Sequence, residues 1–163
     1  THNHEVVSFF LDAPGIEHCV VQRLHIEQQR YNLSIEQSTT LGNLIDRNHV
    51  QLRELYLHLP LGEEAQVLLF GLANAINLQE LSFHNTDSSH NAKAVLIAGG
   101  IDPLIQLLQN PQNQLKKLGL VNLGLQDQHV IAISELLPTC QIELFDFSKN
   151  TIQSAGMMEF VRH

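Results

Sequence analysis

The chain has 163 residues, of which 44% are hydrophobic and 16% charged, and its formal net charge is −8. This composition is enough to bury one sizeable core, and it excludes a disordered or collagen-like chain. The negative charge argues against nucleic acid as a partner, because phosphate-binding surfaces need net positive charge, and no apolar run is long enough to span a membrane.

The first apolar run, residues 6–11, is typical of a helix that ends before Pro14 and Gly15. The chain opens without an initiating Met or a signal peptide, almost directly inside this run. We therefore interpret residues 1–163 as a single domain that is a piece of a longer protein.

Five segments further along share one pattern, with apolar residues at the first, fourth and sixth positions. They lie near residues 21–26, 52–57, 78–83, 115–120 and 142–147. The fourth and sixth positions alternate with polar neighbours, which is typical of a strand with one buried face. The pattern predicts that Leu55, Leu81 and Leu118 are equivalent, fully buried positions on adjacent strands.

Stretches with helical spacing follow these strands. One covers residues 63–76, and another covers residues 130–137 and ends at Pro138, which cannot continue a helix. After the fifth strand, Ser154 stands where the N-cap of a last helix is expected. One strand–helix unit cannot bury its apolar faces alone, so the units are expected to stack around a shared core.

The third repeat is long and suggests an all-helical alternative. Residues 98–108, continued through residues 121–123, resemble one armadillo repeat. Only one such copy exists, and Gly119 and Gly124 would lie inside its third helix, where glycine is unfavourable. The favoured interpretation is a helical segment broken at Gly99 and Gly100, with Asp102 capping its second part.

The last two repeats carry the longest signature. They read Leu115-x-x-Leu118-x-Leu120-x-x-Leu123-Gly124-Leu125 and Ile142-x-x-Phe145-x-Phe147-x-x-Asn150-x-Ile152. The pattern resembles the leucine-rich repeat, and its period of about 28 residues is similar to the ribonuclease-inhibitor-like class. The resemblance implies an α/β solenoid of about five strand–helix repeats, with a curved parallel sheet on the concave side and helices on the convex side. The irregular repeats, rich in Gln, Asn and His, also resemble leucine-rich-repeat effectors that intracellular bacteria secrete.

Cys19 and Cys140 each lie two residues before a predicted strand. Four strand spacings of about 4.8 Å, roughly 19 Å in total, would separate them in a solenoid. A disulfide requires Cα atoms within about 7 Å. We therefore expect two free, buried thiols and a reducing, cytosolic compartment, which for a secreted effector would be the host cytosol.

The exposed side chains of the five strands form the candidate partner-binding surface. The predicted binding residues are Arg23, His25, Arg53, Glu54, Tyr56, His58, Glu80, Ser82, His84, Lys117 and Asp146. Acidic and basic residues balance on this concave face, so the net negative charge belongs to the rest of the chain. Tyr and Arg are enriched at binding hot spots, so the face suits a protein partner. The alternative is an ordinary solvated surface, because any exposed strand face must be polar.

His58 and His84 occupy the same position in adjacent repeats, so their side chains are predicted to lie about 5 Å apart. Glu54 and Glu80 stack in the same way, and two His with two carboxylates suggest zinc. The chain contains ten His, which makes such a coincidence common, and no further ligand is identifiable. We predict no metal and no cofactor, although two neighbouring imidazolium groups would repel at low pH.

No nucleophile elbow, zinc-protease motif, phosphate loop or paired-cysteine motif occurs in the sequence, so it does not predict an enzyme. The leading hypothesis is a binding module, monomeric by itself, that engages a folded protein through its concave face. The resemblance to the ribonuclease-inhibitor-like class implies a partner enzyme whose active site is covered. The alternative is a substrate-recognition segment of a larger enzyme, such as a ubiquitin ligase.

Overall fold

The computed structural model describes residues 12–27, 32–61, 65–87 and 100–162, and these contain a five-stranded parallel sheet. The strands are β1 (Arg23–Glu27), β2 (Glu54–Leu59), β3 (Glu80–Asn85), β4 (Lys117–Val121) and β5 (Leu144–Asp146). They pair in sequence order, each parallel to the next. The predicted α/β architecture of a parallel sheet alternating with helices is confirmed.

Five α-helices lie in the described residues. They are α1 (Ile35–Arg47), α2 (Ala65–Phe70), α3 (Asp102–Gln109), α4 (Asp127–Ser134) and α5 (Ser154–Val161). None of these helices is long and apolar enough to cross a membrane. Parallel strands need crossover connections, and the helices between successive strands supply them.

The register aligns the fourth position of every repeat in one row across the sheet. Leu55 pairs with Leu81, and Leu81 pairs with Leu118. Their exposed fractions are 0%, 1% and 1%, so the predicted equivalence of these three leucines is confirmed. Each strand begins two residues later than predicted. The first apolar positions of the middle three patterns, Leu52, Leu78 and Leu115, are buried in the loop before the strand, and those of the outer two are half-buried. The sequence pattern therefore indicates burial and not strand pairing.

The armadillo interpretation is wrong. Residues 117–121 form β4 and pair with β3, where the alternative required a helix. Gly124 has a φ of 74° and lies in the turn after this strand, a conformation that favours glycine. The first part of the proposed broken helix lies outside the described residues.

Helix boundaries differ from the predicted ones by small amounts. Asp102 and Ser154 were expected as caps, but each is the first residue of its helix and neither cap position has a side-chain hydrogen bond. The helix predicted over residues 63–76 ends at Phe70, and its first two residues lie outside the described residues. The helix predicted over residues 6–11 lies outside the described residues. A cap is defined by one hydrogen bond, which apolar periodicity does not locate.

The core is one continuous cluster between the sheet and the helices. Strand leucines meet helix side chains such as Leu44 of α1 and Leu107 of α3, each 1% exposed. Asparagine side chains hold the loops between these elements. The buried side chain of Asn48 accepts a hydrogen bond from the N–H of Val21, and the half-buried side chain of Asn150 accepts two from the loop that follows β4. Backbone N–H groups in the loops, which have no partner in a strand, thereby form hydrogen bonds.

The two cysteines have different environments. Cys19 is exposed, so the prediction that it is buried is wrong. It directly follows a 3-10 turn (Ile16–His18), and its backbone N–H donates to the carbonyl of Ile16. Cys140 is half-buried against the core and is also a free thiol. Burial raises the pKa of the Cys140 thiol.

Replacing Leu118 with Ala should lower the free energy of unfolding by about 2–5 kcal/mol, because the change leaves a cavity in a fully buried row. Val50→Ala is the control, since this side chain is 59% exposed. That change should cost no more than about 0.5 kcal/mol. Urea denaturation of the three proteins measures both effects, and equal losses would contradict the assignment of Leu118 to the core.

Under native conditions iodoacetamide should alkylate Cys19 at least about tenfold faster than Cys140, because the thiolate is the nucleophile and burial suppresses it. Peptide mass spectrometry over a time course gives the two rates. As a control, both thiols should react in denatured, unreduced protein. Equal native rates would contradict the burial of Cys140.

Candidate binding surface on the sheet

The strand side chains that alternate with the buried rows form the other face of the sheet, which we call the polar strand face. Its members are Arg23, His25, Glu27, Glu54, Tyr56, His58, Glu80, Ser82, His84, Lys117, Gly119, Val121, Leu144 and Asp146. Ten of the eleven predicted binding residues belong to it.

Arg53 is the exception among the predicted binding residues. It is exposed, but it lies one residue before β2 and outside the paired register. Its backbone N–H donates to the carbonyl of Gln22, and its own carbonyl accepts from Gln79 and Glu80. The two-residue shift of the strand start explains the difference, because the sequence pattern placed Arg53 inside the strand.

The first row of the polar strand face carries charges that cancel. Arg23, Glu54, Glu80 and Lys117 are aligned across four strands. Arg23 Nε lies 3.0 Å from Glu54 Oε1, and Lys117 Nζ lies 2.7 Å from Glu80 Oε1. The hydrogen bond from Lys117 is the main cause that lowers the pKa of Glu80. The two carboxylates on neighbouring strands, Glu54 and Glu80, are thus each paired with a cation on the strand beyond them.

Four aromatic rings form a continuous row beside these charges. The ring centroids of His25 and Tyr56 lie 4.4 Å apart, and those of Tyr56 and His58 lie 6.2 Å apart. The rings of His58 and His84 lie 5.2 Å apart, which confirms the predicted neighbouring pair. Every contact is edge-to-face, a favoured geometry for aromatic rings. The continuity of the row was not predicted, although His25 and Tyr56 share one repeat position.

Tyr56 joins the aromatic row to the charged row. Its hydroxyl donates a hydrogen bond to Glu80 Oε2. Burial and this carboxylate raise the pKa of Tyr56 to about 12, so the phenol stays protonated at neutral pH. On the other side, His25 Nε2 lies 3.3 Å from Glu54 Oε2. The ring of Tyr56 is therefore held in place while its polar atom is already satisfied.

His84 lies at the β5 side of the aromatic row. Burial lowers its pKa, and the nearby charges of His58 and Lys149 lower it further, while Asp146 opposes them. The pKa of the Asp146 carboxylate is lowered mainly by hydrogen bonds from Ser148, first from its hydroxyl and then from its backbone N–H, which lies 3.0 Å from Asp146 Oδ1. His84 therefore favours the neutral form beside a carboxylate that stays ionised.

The zinc interpretation finds no support in this geometry. His58 Nε2 lies 3.1 Å from Ser82 Oγ, and the carboxylates of Glu54 and Glu80 turn toward cations. Within the described ranges, no three His, Cys, Asp or Glu side chains are grouped so that they could hold a metal ion.

Comparison with protein-family models, curated proteins and solved structures finds no match. The interpretation of the polar strand face therefore depends on its own geometry. That geometry offers a partner four rings and several hydrogen-bonding groups, while the charges of its first row are paired within the face.

The lowered pKa of His84 makes stability depend on pH. The unfolded chain, with an ordinary His pKa near 6.5, takes up a proton more readily than the folded one. This contribution to stability is therefore complete above about pH 6.5 and is lost as the pH falls below it. Urea midpoints at about pH 7.5 and about pH 5.5 span this window and stay above the ordinary carboxylate range.

His84→Gln should reduce the loss of stability between these two pH values. Part of the loss should remain, because burial also lowers the pKa of His129. An unchanged pH dependence in the variant would contradict the assignment of this effect to His84.

Proposed function

We propose that this chain is a protein-interaction module of the leucine-rich-repeat type, whose polar strand face is the concave surface that binds a folded protein. The observation that carries the proposal is the row of four rings bordered by paired charges. Tyr56, His58 and His84 are half-exposed and His25 is exposed, so a partner can reach all four rings.

The polar groups of this face already have hydrogen-bond or ion-pair partners, which favours a protein partner. A protein that covers Tyr56 would desolvate a hydroxyl already bonded to Glu80 and carboxylates already paired with cations. Burying satisfied groups costs less than burying unpaired ones, and Tyr is enriched at interface centres. The ring row would supply apolar contact area without a new unpaired charge.

The partner and compartment follow from the resemblance. The ribonuclease-inhibitor-like spacing supports an enzyme as the partner, covered at its active site by a monomer of this chain. The free, exposed thiol of Cys19 fits a reducing cytosol, which for a bacterial effector would be that of the host.

Tyr56→Ala should weaken partner binding by about 2 kcal/mol or more, because it removes the central ring of the row. Tyr56→Phe should retain most of the affinity, since it keeps the ring and loses only a hydroxyl that points to Glu80. Partners captured by the immobilised wild-type chain would be identified by mass spectrometry. Calorimetry with each purified partner then gives the affinities. If the partner is an enzyme, equimolar chain should inhibit it.

Glu135→Gln is the matched control, because this exposed residue at the end of α4 lies on the helix side of the sheet. It should leave affinity unchanged. Thermal melts confirm that each variant is folded. Equal losses for Tyr56→Ala and Glu135→Gln would mean that the polar strand face is not the binding surface.

A further inference from the structure

The residues that lead into the three middle strands form a row along the N-terminal edge of the sheet, which we call the edge row. Arg53, Gln79 and Lys116 lie one residue before β2, β3 and β4 respectively. The N–H of Gln79 donates to the carbonyl of Arg53 at 2.7 Å, and the N–H of Lys116 donates to the carbonyl of Gln79 at 2.8 Å. Each of these strands is paired on both sides, so the sheet fixes the spacing of the edge row.

The edge row carries an excess of positive charge. The segments that lead into and open the three strands contain three basic and two acidic residues, although the whole chain has a net charge of −8. These segments are residues 48–54, 74–80 and 110–117. Both acidic residues, Glu54 and Glu80, already pair with cations of the polar strand face. Among the described residues, no ion pair includes Arg53 or Lys116, and both residues are exposed.

Gln79 supplies a hydrogen-bonding group between the two cations. It is half-exposed, and within the described ranges its side chain has no hydrogen-bond partner. A side-chain amide can both donate to and accept from a backbone that has no hydrogen bonds of its own. An extended segment in the polyproline II conformation has such a backbone.

The spacing of the two cations matches the repeat of such a segment. Two strand spacings of about 4.8 Å place the backbones of Arg53 and Lys116 roughly 10 Å apart. In polyproline II, residues three positions apart lie on the same side of the segment and about 9.3 Å from each other. Two acidic residues at this interval would therefore face both cations at once, with the backbone between them over Gln79.

The charge pattern favours a short acidic protein segment over nucleic acid. The next residue in the row, Glu143, is acidic and donates its N–H to the carbonyl of Lys116 at 2.8 Å. The basic stretch therefore ends at Lys116 and offers two unpaired cations, whereas a nucleic acid presents a long series of phosphates. The net charge of −8 would repel such a polyanion along its remaining length.

We propose that the edge row binds an extended acidic segment of another protein, in which two Glu or Asp residues three positions apart pair with Arg53 and Lys116. The backbone between them forms hydrogen bonds with the Gln79 amide. The edge row lies outside the polar strand face, so this proposal does not depend on binding over Tyr56.

The test uses a peptide with blocked ends and a Glu–Pro–Pro–Glu centre, in which the prolines favour polyproline II. NMR titration of the isotope-labelled chain at physiological ionic strength follows its backbone amides. We expect saturable shifts at the amides of Arg53, Gln79 and Lys116. A peptide with Gln in place of both Glu should bind about fivefold or more weakly, because it loses two ion pairs.

Charge reversal on the chain is the sharper test. Arg53→Glu combined with Lys116→Glu should abolish saturable binding of the acidic peptide and create a preference of about fivefold or more for a Lys–Pro–Pro–Lys peptide. Lys116→Gln alone should weaken binding of the acidic peptide. Lys149→Gln is the matched control, because it removes one positive charge from an exposed residue beyond the opposite ends of the strands. It should leave binding nearly unchanged, since salt screens charges this far apart. Thermal melts check that the variants are folded.

Three results would overturn the proposal. One is equal affinity of the wild-type chain for the acidic peptide and the Gln-substituted peptide, or no saturable shift with either. Another is an equal loss of binding in Lys149→Gln and Lys116→Gln, which would assign the effect to net charge. The third is saturable binding of an oligothymidylate at the same amides, tighter than that of the acidic peptide, which would assign the edge row to nucleic acid.

Discussion

The parallel register of the strands is the constraint on which the rest of the structure depends. It places Leu24, Leu55, Leu81 and Leu118 in one buried row, and alternation then puts their polar neighbours on the opposite face. A slip of one residue would bury Glu54 and expose the leucines, at a cost that no surface interaction could offset. The same register that builds the core therefore also aligns the charged and aromatic rows across the strands.

The polar strand face is connected from strand to strand. Lys117 bonds Glu80, Glu80 accepts from Tyr56, and Tyr56 contacts His25, which meets Glu54 and through it Arg23. Exposed ion pairs contribute little to stability one by one. Their effect is to fix side-chain positions, and a surface with ordered rotamers would lose less entropy on binding the proposed partner. Behind the sheet, Phe145 of β5 and Phe147 just after it are half-buried, whereas Leu118 and Leu120 of β4 are each 1% exposed.

The asparagines that hold the loops make hydrogen bonds that sequence patterns do not predict. Asn150 belongs to the repeat signature, and its side chain bonds the N–H groups of Leu123 and Leu125 in the neighbouring loop. Asn48 makes a comparable contact with Val21 from the end of α1. Asn113 bonds the N–H of Leu115 in its own loop. Neither Asn48 nor Asn113 occupies a signature position. An asparagine at a helix end or in a loop is common, so only the folded chain shows which ones replace strand hydrogen bonds.

The sequence by itself determined the five strands, their order, the buried leucine row and ten of the eleven candidate surface residues. It could do so because burial imposes a two-residue period that each repeat displays locally. The tertiary structure alone decided where each strand begins, the exposure of Cys19, the position of Arg53 and the contacts that link the aromatic row to the carboxylates. These features depend on hydrogen bonds and packing between residues more than 20 positions apart, as between Tyr56 and Glu80. No local period encodes such contacts, because they arise only when neighbouring repeats are brought side by side.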